Sequence, residues 1–266
     1  VDDDAARFEG SIPEHYDSGL GPVLFHHYAD VLGRAVALGA PRRILETAAG
    51  TGISSAAIVE HNPQARLVIT DLNEGMLQIA RSKVPPQTVI QVADAQSLPF
   101  GDAEFDTVVC QFGIMFLPDV SAGFREARRV LAPGGVYVFS VWDSHDRNRF
   151  AAIVDNLLSE TFPDNPPPFY RVPFGMSNVD RLRNLAQDNG FGEVHIDVLP
   201  YDSTVASWAD FADGLIRGNP VSDQVRARSG DVDALVRDTG ERLAAEYGPA
   251  PTTIPIQTIL VRASAP

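Results

Sequence analysis

The run Ile44-Leu45-Glu46-Thr47-Ala48-Ala49-Gly50-Thr51-Gly52 is the part of this chain best suited to chemistry. A short apolar strand ends on an acidic residue. A turn of Ala and Gly follows, and then a helix expected over Ile53–Glu60. Such a turn brings backbone close to a ligand with no Cβ in the way. It also aims helix N-terminal N–H groups at that ligand. By itself the turn does not choose the ligand. It lacks a full G-x-G-x-x-G, with Ala48 in place of a first glycine and Ser55 in place of a last one, and a nicotinamide-binding fold shows something similar. Two carboxylates narrow the choice. Asp71 ends a second expected strand, where it can accept hydrogen bonds from both hydroxyls of a ribose. Asp94-Ala95 ends a third, within reach of an adenine amino group. Gln111 stands at the end of a fourth.

The elements that must position these residues alternate along the chain. The expected strands are Arg43–Thr47, Arg66–Asp71, Thr88–Ala93, Thr107–Phe112 and Gly135–Trp142. Between them the helical patterns are Ile53–Glu60, Glu74–Lys83 and Val120–Leu131. The last places Phe124, Ala127, Val130 and Leu131 on one face. Asn62-Pro63, Pro85-Pro86 and Pro133-Gly134-Gly135 punctuate the ends. Strands that read as continuous apolar runs, with helices between them, imply a parallel sheet covered on both faces.

Flanking segments surround this core. A helix is expected from Val23 to Leu38, and another from Arg149 to Phe162. A Pro-rich loop follows from Pro163 to Pro173, then a helix over Val179–Asn189 and a strand over Glu193–Pro200. Residues 204–248 read as mostly helical, and a β-like run, Thr253–Arg262, closes the chain. The expected division is 1–41 as an N-terminal helical segment over the cofactor, 42–203 as the core, 204–250 as a helical cap insertion, and 251–266 as a terminal strand of the core sheet.

The chain has 266 residues, 44% hydrophobic and 21% charged, the balance of an ordinary globular protein. Its net charge of −14 repels phosphate backbones and anionic membranes, which disfavours nucleic acid and membrane partners. Arg125, Arg128 and Arg129 form the only dense basic run, read as a solvated helix face. Cys110 is the sole cysteine and reads as a small buried hydrophobe. The acidic start Val1-Asp2-Asp3-Asp4 is no signal peptide, and no run is long enough to span a membrane, so a cytoplasmic enzyme is expected. No metal site is expected.

Together these residues resemble the class I S-adenosylmethionine-dependent methyltransferases, most closely the small-molecule group that includes the ubiquinone and menaquinone enzymes. The signature stands here as Glu46-x-Ala48-x-Gly50-x-Gly52, Asp71-Leu72, Ala93-Asp94-Ala95, Phe105-Asp106 and Leu131-x-Pro133-Gly134-Gly135. Ala48 departs from the usual first glycine and leaves less room beside the methionine moiety. The resemblance is strong over residues 42–142 and weaker beyond. It implies a Rossmann-like doubly wound α/β fold, with a seven-stranded mostly parallel sheet, an antiparallel last strand and a helical cap. It implies methyl transfer from S-adenosylmethionine, by in-line displacement, to a small, mostly apolar acceptor, giving S-adenosylhomocysteine. Glu46, Ala48, Gly50 and Gly52 would line the methionine part. Asp71 would bind the ribose, with Leu72 and Met76 against the adenine or ribose, and Asp94 and Ala95 would bound the adenine. Gln111 would sit beside the sulfonium and the acceptor. Tyr16, in Glu14-His15-Tyr16-Asp17, would close over the sulfonium, where an aromatic face suits a cation.

Each of these residues also has a plainer reading. Asp71 or Asp94 can serve a local turn, Met76 the core, Gln111 the nearby backbone, and Tyr16 the surface. His145, after the fifth strand, and His15 are the candidates for a catalytic base, against solvated histidines. In the cap, Trp208, Phe211, Leu215 and Ile216, with Phe162, Phe169, Tyr170 and Phe174 before it, are expected to line the acceptor end or else to pack the cap onto the core. Arg147, Arg171 and Arg217 are candidates to meet an acceptor carboxylate. Deleting 204–250 is expected to spare cofactor binding and abolish turnover. A non-methylating protein of the same fold (cyclase-like, binding or regulatory) and a nicotinamide-dependent oxidoreductase stay open as alternatives, as does a homodimer.

Overall fold

Strands β1 (Arg43–Glu46), β2 (Arg66–Asp71), β3 (Val89–Val92), β4 (Phe105–Gln111), β5 (Leu131–Trp142), β6 (Val194–Val205) and β7 (Thr252–Ser264) form one sheet. Their order is β3-β2-β1-β4-β5-β7-β6. β1 pairs in parallel with both β2 and β4, and β7 alone runs antiparallel to its neighbours. The computed structural model describes residue 10 and residues 12–266. The acidic start and the beginning of the 1–41 segment lie outside them.

The continuous apolar runs arise because consecutive strand residues point to opposite faces and both faces are covered. Ile44, Val109 and Val138 face one layer, with Leu32 and Val36 of α2 (His26–Ala37), Ile58 of α3 (Ile53–His61) and Leu77 of α4 (Glu74–Ala80). Their neighbours Leu45, Val108 and Phe139 face the other. There they meet Phe124, Ala127 and Val130 of α5 (Val120–Val130) and Phe150 and Val154 of α6 (Arg149–Thr161). The Asp119 carboxylate caps α5 by accepting from the Ala122 N–H at 2.9 Å. α7 (Val179–Asp188) leads into β6.

Three local expectations shift. Leu131 opens β5 instead of closing α5, and Pro133-Gly134-Gly135 forms a bulge rather than a turn before the strand. Pairing jumps there from Phe105 with Leu131 to Thr107 with Val136, and Gly134 takes a φ of 76°. The Arg125–Arg129 face is not simply solvated. Arg129 reaches Glu126, Asp102 and the Leu98 and Phe100 carbonyls, and Arg128 reaches the Gly190 and Pro266 carbonyls. The N-terminal helix begins well before Val23: α1 (Ile12–His15) continues as a π-helical stretch, Tyr16–Phe25, into α2. Gly19, Gly21 and Pro22 disfavour helix by propensity, but packing against the insertion between β6 and β7 outweighs that local preference. That insertion holds α8 (Trp208–Arg217), α9 (Val221–Arg226) and α10 (Val232–Tyr247).

Candidate functional site

A cleft of about 500 Å³ opens beyond the carboxyl ends of β1 to β4. Strand order reverses between β1 and β4, and open α/β sheets hold their ligands at such a switch point. Each strand contributes through the loop that follows it. Ala48 to Thr51 and Ser54 follow β1. Asp71, Leu72, Asn73 and Met76 come from the end of β2 and from α4, and Ala93 to Gln96 follow β3. Gln111 to Gly113 and Phe116 to Pro118 leave β4, while Tyr16 and Phe25 cover the cleft from the N-terminal segment.

The turn after β1 winds through left-handed backbone at Ala48 (φ 51°), Gly50 (φ 55°) and Gly52 (φ 79°). A Cβ built on Gly50 meets nothing within 4 Å, so glycine keeps that part of the cleft open. Ala48 carries a methyl where only glycine is free of strain, at about 1 kcal/mol. Gly113 makes room for it, since a Cβ there would lie 2.4 Å from the Ala48 Cβ.

Asp71 is buried at the end of β2. Its Oδ2 accepts the Gly50 N–H and its Oδ1 the Asn73 N–H, each at 2.8 Å. The Asn73 side-chain amide adds a longer bond to Oδ1 at 3.3 Å. A carboxylate offers about four acceptor positions, so it retains capacity for a ligand hydroxyl. Burial pushes its carboxyl above the ordinary range, while these N–H donors pull the other way. Asp94 makes a tight local turn, its Oδ1 accepting the Gln96 N–H at 2.8 Å, and still lines the cleft. Gln111 is 9% exposed, and its Nε2 is buried with no hydrogen-bond partner among the described residues. An unmet buried donor costs about 1–3 kcal/mol, which marks a position built for something besides stability.

Tyr16 stacks on Phe25 at 4.7 Å. Burial and the carboxylates of Asp71 and Asp17 push its phenol well above the usual range, so it stays neutral. Beside it, the Asp17 carboxylate accepts from Thr51 Oγ1 at 2.7 Å and pairs with Lys83. The N-terminal segment is thereby tied to the glycine turn it covers.

Several expected site residues lie elsewhere. Glu46 does not line the cleft. Its side chain is fully buried behind the turn, and its two oxygens accept from Ser54 Oγ and Ser55 Oγ, each at 2.5 Å. Burial pushes its carboxyl up to about 7, with Asp71 adding to the shift. Gly52 does not line it either: a Cβ there would meet the Ala80 Cα at 2.8 Å, so this glycine serves the packing of the turn on α4. His145 turns away, its Nε2 bonded to the Tyr170 carbonyl at 2.9 Å, and His15 pairs with Asp213 at 2.6 Å. Neither histidine faces the cleft, because each ring is held by a partner on another segment.

No described residue after Pro118 lines the cleft. Trp208, Phe211, Leu215, Ile216, Phe169 and Tyr170 are buried in the core, with Phe162 and Phe174 packed against it. Their apolar surface is thus used for packing the cap. Arg171 and Arg217 pair with Asp155 and with Asp213 and Asp233, and Arg147 lies on the exposed surface away from the cleft. The aromatic wall is instead Tyr16, Phe25, Phe112 and Phe116. Phe112 is held at a φ of 52° and stacks on Trp142 at 4.4 Å. Sequence reading missed Phe25, Phe112 and Phe116. The available signal was Phe112-Gly113 directly after an apolar strand.

A family model described as a methyltransferase domain matches residues 45–139. The chain is similar to a malonyl-[acyl-carrier protein] O-methyltransferase of Geobacter sulfurreducens, 36% identical over 229 residues, which cover 80% of this chain and 82% of that one. It is also similar to a demethylmenaquinone methyltransferase of Deinococcus radiodurans, 34% identical over 126 residues. That match covers 46% of this chain and 52% of the relative, so the chain spans about half its length. Among solved structures, an S-adenosylmethionine-dependent methyltransferase from Thermotoga maritima shares the fold with a TM-score of 0.55 at 17% identity, covering 97% of this chain and 98% of that one. Among the described residues no helix is long and apolar enough to cross a membrane, and no group of acidic, His or Cys side chains could hold a metal.

Proposed function

The chain belongs to the class I S-adenosylmethionine-dependent methyltransferases, and from that premise we propose that it transfers a methyl group to a small, mostly apolar acceptor. The observation that carries this reading is the cleft itself, with Asp71 at the second strand end and the unmet amide of Gln111 at the fourth. The residues fit the cofactor. Gly50 leaves space that a Cβ would fill, and Asp71, at the lining, keeps acceptor capacity for a ribose hydroxyl. When bound, the cofactor supplies an electrophilic methyl group on a sulfonium.

In this reading Ala48 and Gly50 border the methionine part, and Leu72 and Met76 lie against the nucleoside. Asp94 and Ala95 bound the adenine, and Tyr16 covers the sulfonium. Glu46 and Gly52 act from behind, one by orienting Ser54 and Ser55 and the other by seating the turn on α4. The titratable side chains on the described lining are Tyr16, Asp71 and Asp94. Both carboxylates sit on the nucleoside side and Tyr16 is held neutral, so this reading needs no general base from the cleft. The chain contributes alignment and exclusion of water, and the acceptor brings its own nucleophilic lone pair. The net charge of −14 supports a small-molecule acceptor over nucleic acid, and a cytoplasmic enzyme remains the proposal. We take 1–41 as an N-terminal segment that covers the cofactor through Tyr16 and Phe25 and packs α2 on the sheet, 42–203 with 251–266 as the core, and 204–250 as a cap.

The test is calorimetric titration with S-adenosylmethionine, followed by mass spectrometry of acidic, phenolic and amine acceptors incubated with methyl-labelled cofactor. Binding together with labelled product supports the proposal. Binding without any labelled product favours a non-methylating protein of the same fold, and tight NADH binding without a response to S-adenosylmethionine defeats the reading altogether.

A further inference from the structure

We propose that helix α8 of the cap is a positioning element of the cofactor site. It fixes Tyr16 over the cleft, so that the cap and the cofactor cover behave as one body. This inference rests on the methyltransferase reading of the cleft.

Three ties converge on residues 15 to 17. On the cap side, a Cβ on Gly218 would lie 2.5 Å from the Gly214 carbonyl oxygen of its own helix, 2.8 Å from the Tyr16 N and 2.9 Å from the Tyr16 Cα, so both backbones close on that position. One turn earlier, a Cβ on Gly214 would lie 2.8 Å from the Gly19 carbonyl carbon, and one on Gly19 would lie 2.7 Å from the Gly214 Cα. Backbone therefore rests on backbone, with no side chain between to absorb a displacement. The second tie is polar. His15 Nδ1 meets Asp213 Oδ2 at 2.6 Å, and the other Asp213 oxygen accepts from Arg217 Nε at 2.8 Å. Arg217 also pairs with Asp233 of α10, which extends the tie into the cap. The third lies on the opposite side, where Asp17 accepts from Thr51 in the glycine turn and pairs with Lys83.

Tyr16 thus sits between the cap and the cofactor turn, with its ring on the cleft lining and stacked on Phe25. The cap itself places no described side chain on that lining. Its route to the reaction is through the backbone of Tyr16. This runs against the expectation that removing 204–250 spares cofactor binding.

The test is a double-mutant cycle read by calorimetric affinity for S-adenosylmethionine, with melting temperature as the check on folding. Gly218→Ala and Tyr16→Ala are each expected to weaken binding about tenfold, and the double variant no further than Tyr16→Ala, since coupled residues are non-additive. Gly240→Ala in α10, whose Cβ would stand 3.5 Å from the Trp208 carbonyl oxygen, is expected to bind as the wild type does. If Gly218→Ala does not fold, Asp213→Asn weakens the His15 tie without adding atoms. It is expected to lower affinity about threefold, again with no effect in the Tyr16→Ala background. Wild-type affinity in a folded Gly218→Ala protein overturns the inference, as do losses that add in full. Asp213→Asn with wild-type affinity does the same where it serves as the substitute. A wild-type chain that binds no S-adenosylmethionine overturns the reading of the cleft and this inference with it.

Discussion

Replacing Glu46 with glutamine distinguishes an acid that supports the glycine turn from one that touches the ligand. Glu46 is fully buried and receives two serine hydroxyls, and burial moves its carboxyl from an ordinary 4.5 up to about 7. At about 1.4 kcal/mol per pH unit, that difference corresponds to about 3 kcal/mol between the two protonation states. The folded protein prefers the protonated acid. Its contribution is therefore complete below pH 4.5, fades as pH rises towards 7, and is absent above. Glutamine imitates the protonated acid at every pH. Glu46→Gln should match the wild type near pH 4 and exceed it by up to about 3 kcal/mol at pH 8, a gain of roughly 5–10 °C in Tm for a chain of this size. Urea unfolding of both proteins across this range gives the difference directly, and groups that titrate alike in both cancel. A constant difference, or a less stable variant at pH 8, refutes the reasoning. Affinity for S-adenosylmethionine should change by no more than about threefold, because Glu46 has no place on the cleft lining. A loss beyond about thirtyfold would mean that the carboxylate reaches the ligand after all.

Gln111→Met removes a buried donor that has no partner, so it should raise stability by about 1 kcal/mol while lowering kcat at least about tenfold, checked by thermal melts and turnover. Asp71→Asn should weaken S-adenosylmethionine binding about a hundredfold by calorimetry, since it removes charge-assisted acceptance from ligand hydroxyls. In the wild type, burial already pushes the Asp71 carboxyl upward, and ligand hydroxyls favour its ionised form. Affinity should therefore fall as pH falls through the range in which Asp71 takes up its proton. His145→Gln should leave kcat within about threefold and the pH–rate profile unchanged, because the ring is bound to the Tyr170 carbonyl and not directed at the cleft. Loss of one limb of that profile would restore His145 as a base.

Much of the core was legible in the chain itself. Continuous apolar runs, helical stripes and proline–glycine punctuation are local signals, and they located β1 to β5 and α3 to α5 to within about four residues, while the short 3-10 turn Ile114–Phe116 and the start of β5 at Leu131 were not foreseen. The resemblance to the methyltransferases pointed to Ala48, Gly50, Asp71, Leu72, Met76, Asp94, Ala95 and Gln111, and all of these fall on one cleft. Parallel strands carry their exit loops to the same edge of the sheet, which is why residues at successive strand ends meet there.

Three-dimensional packing decided the rest. Glu46 ends the same strand as the turn, yet Ser54 and Ser55 hold its carboxylate behind that turn. His145 and His15 were separated from the cleft by partners 25 and 198 residues away in the chain. The apolar cap residues proved to be core, and the aromatic wall came from the N-terminal segment and the exit of β4. Nothing local in the sequence around Gly19 or Gly214 shows that their backbones meet across the fold. Local sequence sets which backbone conformation each residue prefers. Which side chains meet across two hundred residues depends on loop closure and close packing, and no short window of sequence records those.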